Sequence, residues 1–300
     1  MARTSLHGCP APAKLNLFLH VTGRRADGYH MLQSVFQLID RGDVLDFDVR
    51  SDSQIRRTTD VAGVPEEQDL IVRSLGLLQA EHARRHRALP GINVRIDKRL
   101  PMGGGLGGGS SDAATALMVA NVLWNSGLSQ QELMALALPL GADIPFFIFG
   151  ENAFAEGVGE QLVPVATPDC WYVVIEPGVS VPTAAIFCSQ HLTRNTKPVR
   201  IADFSRHLSS RTGMSGFGKN DLQPVASNLF PPVAQAIAWL AKYGDARMTG
   251  SGACVFCAFS SASEADAVLA SMPAVWVAWK AESLARHPLQ AVLQVEGVIE

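Results

Sequence analysis

Apolar and polar positions follow each other along this chain in patterns that mark out its elements. Ile92, Val94 and Ile96 share one face of an extended segment and Asn93, Arg95 and Asp97 the other, which predicts a half-buried strand over 92–98. Strands are also predicted over 14–21, 32–39 and 44–49, with a turn at Arg24-Arg25-Ala26-Asp27-Gly28. Residues 51–68 are polar and read as a loop with short strands. Residues 70–87 carry apolar side chains at helical spacing and end on Arg84, Arg85 and Arg87, cations that suit a helix C-terminus before Pro90-Gly91. Further helices are predicted from Ser110 to about Trp124 and over 129–138, the second stopped by Pro139 and Gly141. Past residue 165 the texture changes. Strands are predicted over 171–175, 253–259 and 275–280 and helices over 183–190, 232–242 and 263–271, with a long, Ser-rich, basic and mobile stretch over 194–220. No internal repeat occurs. The coarse expectation is an α+β chain in two domains, 1–165 and 166–300.

Length and composition narrow the class. A chain of 300 residues with 47% hydrophobic and 18% charged positions buries a large core and excludes disorder as its main state. The net charge of −3 gives no pull toward nucleic acid or an anionic membrane. The most apolar windows, 113–124 and 144–149, are too short to span a bilayer, and the N-terminus has no secretory pattern. The expectation is a cytoplasmic protein. Its cysteines, Cys9, Cys170, Cys188, Cys254 and Cys257, read as reduced thiols. Cys254 and Cys257 have the spacing of a metal or redox pair. They sit in a strand-like run, where residues three apart point to opposite faces, and no histidine is near.

The densest chemistry is in Pro101-Met102-Gly103-Gly104-Gly105-Leu106-Gly107-Gly108-Gly109-Ser110-Ser111-Asp112, with six glycines in seven positions. So many glycines cost backbone entropy, and a chain keeps them where a ligand comes close or φ is positive. A helix follows, so loop amides and a helix N-terminus together form an anion site suited to a nucleotide triphosphate. A flexible linker would lack the flanking strand and helix. The dinucleotide fingerprint fits at Gly103, Gly105 and Gly108 but lacks its distal acidic residue, and the Walker pattern lacks its lysine. Among Ser110, Ser111 and Asp112, at least one is expected to cap the helix, and Ser111 also to face phosphate or metal.

Lys14 and Asp143 are lone charges in apolar segments, Pro12-Ala13-Lys14-Leu15-Asn16-Leu17 and Gly141-Ala142-Asp143-Ile144-Pro145-Phe146-Phe147. Each needs a partner, and each is the other's simplest one. Such a pair is either a structural ion pair or a carboxylate held to take a proton from a hydroxyl. His82 and His86 have the spacing of a metal pair, without the surrounding motif, and read as a solvated helix face. Met248-Thr249-Gly250-Ser251-Gly252-Ala253 is a second glycine turn, ordinary or closing over phosphates. Gly28-Tyr29-His30 offers an aromatic ring and an imidazole to a base or sugar.

These segments, in order, resemble the kinase superfamily that phosphorylates galactose, homoserine and mevalonate. Within it they are most similar to the branch acting on a cytidine diphosphate-linked methylerythritol. The resemblance rests on residues 12–17 and 23–30, the glycine run 101–114, the Asp143 segment, Pro177-Gly178-Val179-Ser180-Val181-Pro182-Thr183 through Phe187, Asn220-Asp221-Leu222, and residues 249–253. It implies a ribosomal-S5-like α/β N-terminal domain that binds ATP and a ferredoxin-like C-terminal domain on the substrate side, with the site in the cleft between them. It implies ATP and Mg2+, and phosphorylation of the substrate's 2-hydroxyl in the non-mevalonate isoprenoid route. By position, Asp143 is the general base and Lys14 its partner, while Asn16 holds the diphosphate side. Tyr29 and Phe187 sandwich the cytosine, His30 reads its edge, and Thr183 lies nearby. Pro101, Met102, Gly103, Gly104, Gly105, Leu106, Gly107, Gly108, Gly109, Ser110 and Ser111 hold the triphosphate, with Lys98 and Leu70 beside the adenosine. Asp69 stands where the family often has asparagine, and is not assigned to adenine, because a carboxylate cannot donate.

Overall fold

The structure is a computed structural model that describes residues 3–209 and 215–295. It opens with a long antiparallel hairpin, β1 (Ser5–Arg24) and β2 (His30–Val49), in register from Ser5 opposite Asp48 to Arg24 opposite His30. These strands run much further than the apolar stretches predicted. Four register shifts absorb the polar interruptions, so the ladder continues where the alternation breaks. The polar break around Asp43 is itself structural, since Asp43 Oδ1 accepts from the amides of Arg99 and Leu100 at 2.6 and 2.8 Å. The turn is closed by Asp27, which accepts from the Tyr29 amide at 3.1 Å.

β3 (Ile55–Arg57) and α1 (Leu70–Arg84) follow, the helix capped by the Asp69 side chain on the Ile71 amide. The helix stops short of the predicted 87, and His86 lies beyond it with φ +59°. His82 corrects the reading of a solvated histidine face, because it is 2% exposed and points into the core. β4 (Ile92–Asp97) alternates as predicted, with Ile92, Val94 and Ile96 buried. α2 (Gly108–Leu123) begins two residues early. Its N-cap is Gly107 in the left-handed region with no side-chain cap, so none of Ser110, Ser111 and Asp112 caps it. α3 (Gln130–Ala137) starts on a reciprocal Ser129–Glu132 capping box. The apolar Asp143 segment forms α4 (Ile144–Phe149).

β5 (Ala153–Glu156) and β6 (Gln161–Pro164) were not predicted, nor were α7 and α10 below. β7 (Trp171–Glu176) and α5 (Thr183–Cys188) lie close to their predicted ranges. Within the stretch expected to be mobile, α6 (Ile201–Ser209) is a regular helix that buries Phe204 completely. Its high polarity hid one apolar stripe. Residues 210–214 of that stretch lie outside the described residues. α7 (Gln223–Leu229), α8 (Pro231–Leu240), β8 (Arg247–Met248), β9 (Val255–Phe259), α9 (Ala262–Ala270), β10 (Val277–Leu284) and α10 (Leu289–Val295) complete the chain.

One sheet runs β3-β4-β2-β10-β7-β9-β8. β10 joins its two halves, pairing Ser283 and Leu284 with Ile39 and Leu38 of β2, and residues 277–282 with β7. One apolar cluster packs α1–α4 on the first half. It also takes Leu289 and Leu293 of α10, so the C-terminal helix returns to the start of the fold. A second cluster packs α5, α7, α8 and α9 against β7 and β9. Cys254 and Cys257 fall in different clusters, as the strand geometry requires. A third cluster, around Leu15, Leu17, Phe18 and Leu106, lies under the glycine run. Among the described residues no helix is long and apolar enough to cross a membrane.

Candidate active site

The glycine run is a wall with a cavity on each side. Gly103, Gly105 and Gly107 all have positive φ, at +66°, +74° and +73°. At Gly105 the need is double, because a Cβ would sit 2.2 Å from the Thr249 carbonyl oxygen. The wall is pinned from both sides. The Lys14 amide donates to Leu106 O at 3.0 Å, tying it to β1. The amides of Ala253 and Cys254 donate to Gly103 O and Gly104 O, each at 3.1 Å, tying it to the second glycine turn. That turn is therefore a built part of the loop rather than an unrelated tight turn.

The first cavity, about 380 Å³, is lined by Asp69, Leu70, Lys98 and the whole run Pro101–Ser110. The second, about 370 Å³, is lined by Lys14, Asn16, Asp143, Thr183, Phe187 and Gly250–Gly252. Gly103, Gly105, Gly107 and Ser110 line both. Ser111 is fully buried and its hydroxyl has no hydrogen-bond partner, an orphan oxygen at the helix N-terminus.

Lys14 and Asp143 do come together, with Nζ 3.5 Å from Oδ2. Lys14 also donates to Asn16 Oδ1 and lies 5.2 Å from the centre of the Phe36 ring. Its ammonium is thus held on three sides, while the Asp143 side chain is 37% exposed toward the cavity. Asn16 is fixed in turn. Its Nδ2 donates to Ser34 Oγ at 2.8 Å and its amide to Thr249 Oγ1 at 3.0 Å. Thr249 Oγ1 also donates to Gly105 O at 3.2 Å, so one buried hydroxyl joins β1, the glycine run and the second turn. Asn220 braces the same turn by donating to Met248 O and Gly250 O.

Lys98 lies between two carboxylates, 2.6 Å from Asp43 and 2.7 Å from Asp112. Burial pushes the Asp112 carboxyl up to about 8, with the nearby Asp43 charge adding to it and Lys98 opposing. Asp69 is consumed by Arg57 and by its cap on α1, which accounts for a carboxylate at that position.

The three residues expected around a base are less tightly grouped. The His30 and Phe187 rings stack on each other at 4.9 Å and 29°. Tyr29 stands apart, 65% exposed at the hairpin tip. Thr183 Oγ1 is 2.7 Å from Ser251 Oγ, which couples the start of α5 to the glycine turn. Sequence reasoning missed Thr249, Ser34 and Asp43 as site-building residues. Thr249 alone carried a signal, its place in the glycine turn.

A glycine wall between two cavities, with a lysine–carboxylate pair on one side, is a layout that suits a small-molecule kinase. Two family models match the chain, the GHMP kinases N terminal domain over residues 69–151 and the GHMP kinases C terminal over 201–278. The structure superposes on a crystal structure of 4-(cytidine 5'-diphospho)-2C-methyl-D-erythritol kinase with a TM-score of 0.78, at 31% identity, covering 91% of this chain and 98% of that one. A homoserine kinase from Cytophaga hutchinsonii shares the fold with a TM-score of 0.68 at 15% identity, covering 96% of each chain.

In sequence the chain is 65% identical to the 4-diphosphocytidyl-2-C-methyl-D-erythritol kinase of Herminiimonas arsenicoxydans, covering 96% of this chain and 98% of that one. It is 57% identical to that of Azoarcus sp. (strain BH72), over 96% and 98%. The chain belongs to the GHMP kinases and, within them, to the 4-diphosphocytidyl-2-C-methyl-D-erythritol kinase family.

Proposed function

We propose that this kinase transfers the γ-phosphoryl group of ATP to the 2-hydroxyl of 4-diphosphocytidyl-2-C-methyl-D-erythritol, a step of the non-mevalonate isoprenoid route, in the cytoplasm. The observation that carries the reading is the glycine wall shared by two cavities, with the Lys14–Asp143 pair on one side only. Phosphoryl transfer needs its two reactants on either side of the phosphates and in line, and asks the protein mainly for positioning and charge. The Leu70 and Lys98 side takes the adenosine, and residues 103–111 the triphosphate. Asp143 receives the proton of the attacking hydroxyl, while Lys14 fixes that carboxylate's direction. Asn16 faces the diphosphate with the Nδ2 proton that Ser34 does not use, and Thr183 lies beside it. Tyr29 and Phe187 close on the cytosine and His30 reads its edge, a closure that requires the exposed Tyr29 to fold in. Mg2+, when bound, supplies charge neutralisation on the phosphates, and the orphan Ser111 hydroxyl fits a place toward it.

The part expected over 1–165 takes the role of a ribosomal-S5-like domain that binds ATP, and that over 166–300 of a ferredoxin-like domain on the substrate side, apart from α10, whose Leu289 and Leu293 pack in the core of the first part. The site lies in the cleft between them. The partner is this small molecule, with no role for nucleic acid or a membrane. Release of ADP, measured with the cytidine-linked acceptor beside mevalonate, homoserine and galactose, tests the reading. Turnover only with the cytidine-linked alcohol is expected. Preference for another alcohol would move the chain to a different member of the superfamily, and acceptor-independent or absent turnover would point to a nucleotide sensor.

A further inference from the structure

We propose that Arg194 is a positioning residue that fixes the tautomer of His30, so that the imidazole offers the base a single donor, Nδ1–H. Arg194 lies in a segment to which the sequence assigned no role. Its Nη2 donates to Phe187 O at 2.9 Å and Ser189 O at 2.7 Å, which clamps the guanidinium to the end of α5. From there its Nε donates to His30 Nε2 at 3.1 Å. A guanidinium Nε always carries its proton, so the imidazole nitrogen facing it must be bare. The ring proton is therefore on Nδ1. Burial, with the cations Arg194 and Arg24 near the ring adding to it, holds His30 below the usual histidine range and favours the neutral ring. The ring face is occupied by Phe187. No group among the described residues accepts from Nδ1, so that donor is left for a ligand.

This inference rests on the cytidine reading of the site and deepens it. A lone donor at a base edge pairs with the unprotonated ring nitrogen N3 of a cytosine. A uracil carries N3–H there, and two donors would face each other unpaired. The freely rotating alternative, with Nε2–H and a bare Nδ1, would favour the opposite base. Arg194 thus selects the base without touching it.

The tautomer is read directly by long-range nitrogen–proton NMR on protein labelled at histidine, with His30→Gln identifying the His30 signals. The wild type is expected to carry the proton on Nδ1, and a proton on Nε2 overturns the proposal. Arg194→Met should move the proton toward Nε2. It should raise the KM for the cytidine-linked acceptor about three- to tenfold, leave kcat and the KM for ATP unchanged, and shrink the preference over a uridine-linked acceptor by the same factor. A raised KM with an unchanged tautomer would show Arg194 acting only through its carbonyl contacts, and overturns the lock. A wild type that binds cytidine- and uridine-linked acceptors alike refutes base selection, even with the proton on Nδ1. Failure to turn over any cytidine-linked acceptor refutes instead the function on which the inference rests. If Arg194→Met does not fold, Arg194→Gln replaces it, because its amide can either donate to or accept from the imidazole and so leaves the tautomer free.

Discussion

Asp143→Asn separates catalysis from stability, because the geometry makes the two effects unequal. The substitution keeps size and removes the charge that would accept the hydroxyl proton. Losing a general base lowers a rate by roughly 10²–10⁴, about 2.7–5.5 kcal/mol in the barrier at about 1.36 kcal/mol per decade. The cost to folding is much smaller. The Lys14–Asp143 pair is 3.5 Å long, and the aspartate side chain is 37% exposed, so water screens it. Pairs of that kind contribute about 1 kcal/mol or less. Lys14 is not orphaned either, since Asn16 Oδ1 and the Phe36 ring remain. For a chain of 300 residues, at about 2.1 cal/mol/K of unfolding entropy per residue, 1 kcal/mol moves Tm by about 2 °C or less. The expected variant therefore melts within about 2 °C of wild type, binds ATP and acceptor with near-normal KM, and turns over at least a hundredfold more slowly. Rates come from ADP release at saturating substrates, and stability from thermal melts with and without an ATP analogue. A folded, substrate-binding Asp143→Asn enzyme with kcat within tenfold of wild type would show that Asp143 is only a structural ion. Should the variant unfold, Asp143→Glu keeps the carboxylate but displaces it by one methylene, so a folded Asp143→Glu enzyme with lowered kcat and near-normal KM supports the base, and an unchanged kcat counts against it.

Gly105→Ala should damage the fold itself, lowering Tm by several degrees, since its φ of +74° and the Thr249 oxygen leave no room for a Cβ. Gly109→Ala places its Cβ 3.6 Å from Leu70 Cδ1, an ordinary contact in a helical turn; its melt should match wild type while the KM for ATP rises, and an unchanged KM would take the nucleotide away from this wall. Tyr29→Ala should raise the acceptor KM about tenfold, by the roughly 1–3 kcal/mol of a stacked base, without altering the KM for ATP; parallel movement of both constants would make Tyr29 structural. His287 is buried, with its histidine pKa depressed by burial to about 3. Its contribution to stability is present above pH 6.5, where the unfolded form is also neutral, and is lost as pH falls toward 3, at up to about 1.4 kcal/mol per unit. Wild type should therefore lose more Tm between pH 7 and 5 than His287→Asn, which keeps an acceptor for the Leu289 amide, and equal losses would place the acid sensitivity elsewhere.

By itself the sequence determined the pieces whose chemistry is local. Six glycines in seven positions before a helix admit few uses. The alternation of residues 92–97 and the periodicity of α1 follow from strand and helix repeats of two and 3.6 residues. Two lone charges in apolar segments met: burial forbids leaving Lys14 bare, whereas Asp143, 37% exposed, keeps water on its cavity side. The tertiary structure decided what depends on residues far apart in the chain. β1 and β2 run through their polar breaks because ladder pairing and bulges, not side-chain pattern, hold them there. α6 forms from a polar stretch because one phenylalanine finds a pocket. His82 turns inward because the core lies on that side of α1. The bond from Thr249 to Gly105 spans 144 residues, and that from Arg194 to His30 spans 164. No local pattern encodes such pairs, because their energies exist only once the sheet has brought the two ends of the chain to one wall.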